Sequence, residues 1–84
     1  MSYQVALAPS AVQRIAQLDS EVQQRLAQKL EELALNPRPE DAHALKDTDE
    51  RLYKLRFGEY RIIYQIQDQP LLLTVIKIAH LKDY

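Results

Sequence analysis

Leu52-Tyr53-Lys54-Leu55-Arg56-Phe57-Gly58-Glu59-Tyr60-Arg61-Ile62-Ile63-Tyr64 reads as two short strands around one turn. The flanks are rich in aromatic and β-branched residues and carry cations at strand spacing. The break holds the chain's only glycine, Gly58. Alternation sets Lys54 and Arg56 on one face of the first strand, with Tyr53 and Leu55 on the other. Across the turn, Arg61, Ile63 and Gln65 share a face opposite Tyr60, Ile62, Tyr64 and Ile66. If Tyr53, Leu55, Ile62 and Ile66 pack inward, Lys54, Arg56 and Arg61 gather on one uncovered face. Like charges so close repel, and a polyanion laid across the sheet relieves that repulsion. Lysine offers a compact charge, and arginine a fork matched to two phosphate oxygens. The alternative is a solvated sheet face whose cations pair with Glu59, Asp68 or Asp83.

On the carboxyl-terminal side, Asp68-Gln69-Pro70 is turn chemistry. Leu71 to Ala79 is almost wholly apolar and too short to span a membrane, so it predicts a strand buried on both faces. The tail is His80-Leu81-Lys82-Asp83-Tyr84. On the amino-terminal side, Tyr3 to Ala8 alternates Tyr3, Val5 and Leu7 and predicts a first strand, stopped by Pro9-Ser10. Ser10 and Gln13 have capping-box spacing and open a short helix, along one side of which lie Val12, Ile15, Ala16 and Asp19. Ser20 and Gln23 repeat the box. The helix they open has a regular stripe of Val22, Leu26, Leu30, Leu33 and Ala34, and Asn36-Pro37 ends it. The short connection at Asp19-Ser20 makes the two helices an antiparallel hairpin. Residues 37–50 are the longest irregular segment, with Ala42-His43-Ala44-Leu45 as candidate cover for the core.

The expected fold is therefore α+β, in the order β-α-α-β-β-β. An antiparallel four-stranded sheet carries the two-helix hairpin on one face and leaves the other open. Residues 1–84 make one domain, since 84 residues and a hydrophobic fraction of 46% suit a single small core. Its stability should be on the order of 5 kcal/mol, and a bound partner would raise it.

Charge is divided between the halves. Residues 1–50 hold five Lys/Arg against nine Asp/Glu, a net −4, and residues 51–84 hold six against three, a net +3. Such asymmetry fits a directional partner such as nucleic acid, and also an ordinary acidic helix surface beside a basic sheet.

Other chemistries are excluded or weak. Without cysteine there is no disulfide or thiolate metal site, which fits a reducing compartment. The first residues lack the basic region of a secretory signal. One glycine cannot build a phosphate loop, and His43 and His80 are too far apart in sequence to suggest a metal. Ser10 and Ser20 read as helix caps, and Ser2 has no base near it. His80 and Tyr84, at the end of the last strand, can donate a proton or stack on a base; each also reads as an ordinary surface residue. His43, in the loop, has less context still.

The whole chain resembles the RelE/ParE superfamily of bacterial type II toxins. The resemblance rests on the helix hairpin after one strand, the Leu45-Lys46 pair, the hairpin quoted above, and Val75-Ile76-Lys77-Ile78-Ala79-His80 as closing strand. It implies a cytoplasmic toxin held by a cognate antitoxin in a hetero-oligomer, with no membrane, cofactor or metal. RelE-like members are mRNA interferases: endoribonucleases that cut messenger RNA on the ribosome and inhibit translation. In that chemistry a 2′-hydroxyl attacks the adjacent phosphate. By position, Lys54 resembles the activator of the hydroxyl, Arg61 and Arg56 the stabilisers of the phosphorane, and Tyr84 or His80 the acid. Lys77 and Lys82 resemble further substrate contacts. ParE-like members instead inhibit DNA gyrase, and a catalytically degenerate member would only bind its antitoxin. Leu81 stands where many RelE-like members have arginine, with Lys82 beside it, and Tyr84 comes slightly early.

Overall fold

The computed structural model describes residues 2–45 and 51–83. Lys46 and Tyr84, singled out above, lie outside the described residues. The described chain runs β1 (Gln4–Leu7), α1 (Pro9–Ala16), α2 (Ser20–Leu35), β2 (Ala42–Ala44), β3 (Leu52–Phe57), β4 (Tyr60–Asp68) and β5 (Leu71–His80), closing in a 3-10 turn at Leu81–Asp83. The class is α+β, as expected. The sheet, however, has five strands in the order β1-β5-β4-β3-β2, and it is mixed. β2, β3, β4 and β5 pair antiparallel, whereas β1 pairs parallel with β5.

The parallel pair follows from connectivity. Each tight turn in the meander reverses direction, and the two helices between β1 and β2 allow β1 to enter in the same sense as β5. The fifth strand arises from the segment expected to be irregular. Ala42, His43 and Ala44 pair with Leu55, Lys54 and Tyr53, and the Leu45 amide donates to the Leu52 carbonyl at 2.9 Å. Three residues with two alanines give no usable sequence period; the edge of β3 supplies the hydrogen bonds that hold them extended.

Neither expected cap serves as one: α1 starts one residue before Ser10, and Ser20 is itself the first residue of α2. Pro9 occupies the first turn of α1, where its fixed φ is pre-organised and its missing N–H costs nothing. Ala8 and Asp19 are the N-cap residues, and neither makes a side-chain cap bond. Gln23 does not close a capping box; its side-chain amide donates to the Ile15 carbonyl at 2.6 Å, tying α2 to α1. The inward stripe of α1 is also displaced. Ala11 is buried with Ile15 packed against the core, Leu18 in the connection to α2 is buried beside them, and Val12 is 49% exposed. The α2 stripe is as expected, with Leu26 and Leu33 buried and Val22 and Leu30 packed beside them.

These side chains meet Leu55, Ile62, Tyr64, Ile66, Leu73, Val75 and Ile78 in one core on the helix side of the sheet. β5 is not buried on both faces: Leu73, Val75 and Ile78 face the core, while Leu72, Thr74 and Lys77 are partly or fully exposed. Burial therefore changes from odd to even positions along β5. A register shift in the β4–β5 ladder accounts for this: Tyr64 pairs with Val75 but Ile63 pairs with Lys77, so Ile76 is an additional residue. This β-bulge keeps Ile78 in the core and Lys77 out of it.

Gly58 turns the β3–β4 hairpin with φ +57°, in the left-handed region. Nothing lies within 4 Å of where a Cβ would stand, so any penalty is one of backbone conformation. Gly58→Val is expected to cost about 1–2 kcal/mol, and Gly58→Asn clearly less, because asparagine tolerates this conformation. Urea midpoints of the two variants check the order; equal midpoints would contradict it.

Candidate nucleic-acid interface

The sheet face away from the helices is built by the ladder. Arg56 lies directly opposite Arg61, and Lys54 opposite Ile63. Ile63 in turn pairs with Lys77, and Lys54 with His43. Partners in a ladder project to the same side, so Lys54, Arg56, Arg61 and Lys77 share this face, with His43 at its margin. Lys54 and Arg61 are half-buried, and Arg56 and Lys77 are exposed. Arg56 is steadied by its Nε donating to the Gly58 carbonyl at 3.2 Å.

Two of the three carboxylates that might have neutralised this face are engaged elsewhere. Asp68 accepts from the Tyr3 hydroxyl at 2.6 Å and pairs with Arg38 at 3.3 Å and with Arg51. The bond from Tyr3, reinforced by the two arginines, holds its carboxyl below the usual carboxylate range. Arg38 also donates to the Tyr53 hydroxyl and lies 5.7 Å from that ring's centre. Together these residues tie β1, the segment after α2, β3 and β4 at the end of the sheet remote from Gly58. Glu59, the second carboxylate, lies 3.6 Å from His80. The side chain of Asp83 falls outside the description.

His80 does not join the cation face. It pairs with Tyr60, one step past the Arg61–Ala79 pair, and so projects toward the helix side. Its ring stands edge-on to Tyr60 at 5.0 Å. Its Nδ1 accepts from the Lys82 amide at 3.0 Å, which leaves the proton of the neutral imidazole on Nε2. Lys82 is exposed in the closing 3-10 turn. The ladder thus brings together Lys54, Arg56, Arg61 and Lys77 and sets His80 apart. His43 joins them at the margin, although no local pattern marks β2 in the sequence.

Beneath this face, Tyr64 is fully buried and its hydroxyl donates to the Pro37 carbonyl at 2.8 Å. Its ring stacks on Tyr53 at 5.9 Å. Burial pushes its phenol up to about 12. An acid whose pKa rises on folding favours the folded state while neutral. That contribution is complete below the ordinary tyrosine value of about 10 and is lost as pH climbs through 12. Tyr64→Phe is expected to lose about 1–2 kcal/mol at pH 7 with its hydrogen bond. Between pH 10 and 12 its stability should then fall less steeply than the wild type's, by on the order of 2 kcal/mol. Denaturant melts at both pH values check this, and parallel alkaline limbs would refute it.

Among the described residues no group of three His, Cys, Asp or Glu is placed to hold a metal ion. No described helix is long and apolar enough to cross a membrane. The arrangement is a small α+β domain with helices on one sheet face and a cationic platform on the other.

Comparison with known proteins gives that architecture a family. Residues 5–83 match the family described as the ParE toxin of the type II toxin–antitoxin system parDE. An Escherichia coli protein assigned as a RelE-like toxin is 32% identical over 79 residues, covering 94% of this chain and 83% of its own. Among solved structures, the archaeal RelE–RelB complex from Pyrococcus horikoshii superposes with a TM-score of 0.84 at 25% identity, over 95% of this chain and 96% of the other. A chain of the intact E. coli RelBE toxin–antitoxin complex superposes with a TM-score of 0.80 at 27% identity, over 94% and 96%. The chain belongs to the RelE/ParE superfamily of type II toxin–antitoxin toxins.

Proposed function

We propose that this toxin is a messenger RNA endonuclease that acts on the ribosome and is held inactive by a cognate antitoxin. The observation that carries the reading is the convergence of Lys54, Arg56, Arg61 and Lys77 on the uncovered sheet face, with Asp68 and Glu59 turned to other partners. A phosphodiester laid on that face meets charge-assisted donors from several strands. In the proposed reaction Lys54 favours ionisation of the 2′-hydroxyl by its charge; the hydroxyl gives its proton to solvent water, and its oxygen attacks the adjacent phosphorus. Arg61, with Arg56, neutralises the charge that develops on the phosphorane oxygens. The bond to the 5′ oxygen then breaks. The products are a 2′,3′-cyclic phosphate and a 5′-hydroxyl, and no metal takes part. The leaving oxygen takes its proton from the carboxyl-terminal tail, for which Tyr84 is the preferred donor because His80 projects to the other side of the sheet. Lys82, beside it in the sequence, is a further RNA contact.

The antitoxin reading draws on the RelE–RelB and RelBE complexes, whose toxin chains share this fold. The matching family is described by its ParE toxin, which favours a second reading: inhibition of DNA gyrase without cleavage. One experiment separates the two. The protein is induced alone and with the product of its neighbouring gene, RNA ends are sequenced, and gyrase is probed in pull-downs. New 5′-hydroxyl ends inside translated messages, suppressed by the neighbour, are expected. Intact messages with gyrase retained on the protein would replace the nuclease reading by the second.

A further inference from the structure

We propose that His80 is a positioning residue for cleavage: its neutral ring clasps the turn by which the carboxyl-terminal tail leaves β5, and so aims the tail's proton donor at the leaving 5′ oxygen. The inference rests on the nuclease reading above and adds the residue through which the tail is set.

β5 ends at the rung that joins His80 to Tyr60, one residue past the Arg61–Ala79 pair. The next two backbone N–H groups, those of Leu81 and Lys82, need acceptors in place of the ladder. The Leu81 amide donates to the Glu59 carbonyl at 2.8 Å, which ties the tail to the β3–β4 turn. The Lys82 amide donates to His80 Nδ1 at 3.0 Å. A side chain that accepts from the amide two residues on closes the same kind of ring as an Asx turn, and it fixes the backbone between them. The chain bends there into the 3-10 turn Leu81–Asp83.

Other contacts hold the imidazole in the orientation that the clasp requires. Tyr60 meets it edge-on at 5.0 Å. With Nδ1 accepting, the neutral ring carries its proton on Nε2, and that nitrogen lies 3.6 Å from a Glu59 carboxylate oxygen. Glu59 thus meets the clasp twice, through its carbonyl and through its side chain. His80 projects to the helix side, away from a phosphate held by Arg56 and Arg61 on the other face. Its influence on the reaction therefore passes through the tail, in which Tyr84 follows Lys82 by two residues.

The step served is departure of the leaving group. As the bond from phosphorus to the 5′ oxygen breaks, its electron pair stays on that oxygen. The oxygen takes a proton from the tail donor, and water then reprotonates the donor. A sulfur atom in the same bridging position leaves as a thiolate without a proton, because a thiol is far more acidic than an alcohol.

The full chain acting on a ribosome-bound model message tests this. On the ordinary message His80→Ala should cut about 100-fold more slowly, the loss that a misplacement of roughly 1 Å produces, with KM little changed. His80→Asn should recover most of that rate, since its amide oxygen occupies the Nδ1 position and accepts from Lys82. On a message with one bridging 5′ sulfur at the cleavage site, His80→Ala should run within about threefold of wild type. Equal losses on the two messages, or a His80→Asn as slow as His80→Ala, would overturn the positioning role. Hydrogen exchange reads the clasp without any cleavage. The Lys82 amide should exchange several-fold faster in His80→Ala than in wild type or His80→Asn, and an unchanged amide would overturn the clasp. A wild type that cuts neither message overturns the nuclease reading and with it the catalytic task; Lys82 protection that depends on His80 would still establish the clasp.

Discussion

Arg61→Ala is expected to slow message cleavage by about 100- to 1,000-fold, the usual loss when one donor to a developing oxyanion is removed. Arg61 sits mid-sheet on β4, opposite Arg56 and beside Ala79 on β5, so its position is set by two ladders and not by a mobile loop. Its side chain projects away from the core, so truncation leaves no cavity there and the variant should remain folded. Because the charge it meets grows in the transition state, the loss should fall on kcat more than on KM. Arg61→Lys should restore part of the rate, since it returns the charge without the fork. A single-turnover assay on ribosome-bound message, with thermal melts alongside, reads both quantities. A cleavage rate within two- or threefold of wild type would remove Arg61 from the proposed centre.

The second large effect concerns stability. Leu33→Ala should cost about 2–5 kcal/mol, a lost transfer term plus the cavity that remains. Leu33 is 1% exposed and, with Leu26, seats α2 on the sheet. A domain of this size has only on the order of 5 kcal/mol to lose, so the variant should be largely unfolded near 37 °C when alone. Co-expression with the neighbouring gene product should recover it, since a ligand of the folded form adds stability in proportion to log concentration. Circular dichroism with and without that protein provides the check. A cooperative melt of Leu33→Ala within a few degrees of wild type would show that α2 contributes far less than its burial implies.

The period of each element carried far into the structure. Alternation in 52–66 located the hairpin, the Gly58 turn and the inward set Leu55, Ile62 and Ile66. The three- and four-residue spacing of Val22, Leu26, Leu30 and Leu33 identified the packed side of α2. These inferences needed only neighbours a few residues away, and the core they describe is the one found.

Elsewhere the local signal was absent or misleading. Val12 matched an apolar stripe on α1 but is half-exposed; Ala11, one residue earlier, is the buried residue of the helix that lies against β5, with Ile15 packed beside it. Ser10 and Ser20 had cap spacing, yet Ala8 and Asp19 hold the cap positions and both serines lie inside the helices. In β5 an almost wholly apolar run hides its own parity, so neither the bulge at Ile76 nor the side taken by Lys77 is visible before β4 is laid alongside. His80 depends on the same count: one residue past Ala79, it faces Tyr60 and not Arg61.

The sequence by itself determined which residues are apolar at strand or helix period, and so which segments pair, which side of the hairpin is cationic and which family the chain resembles. Tertiary structure alone decided the parallel seat of β1, the fifth strand at Ala42–Ala44, the side on which Lys77 and His80 emerge, and the tie between Leu81 and the Glu59 turn. The division has a physical cause. Side-chain alternation is a property of one strand, whereas register, bulges and edge coverage are set by hydrogen bonds to strands distant in the chain.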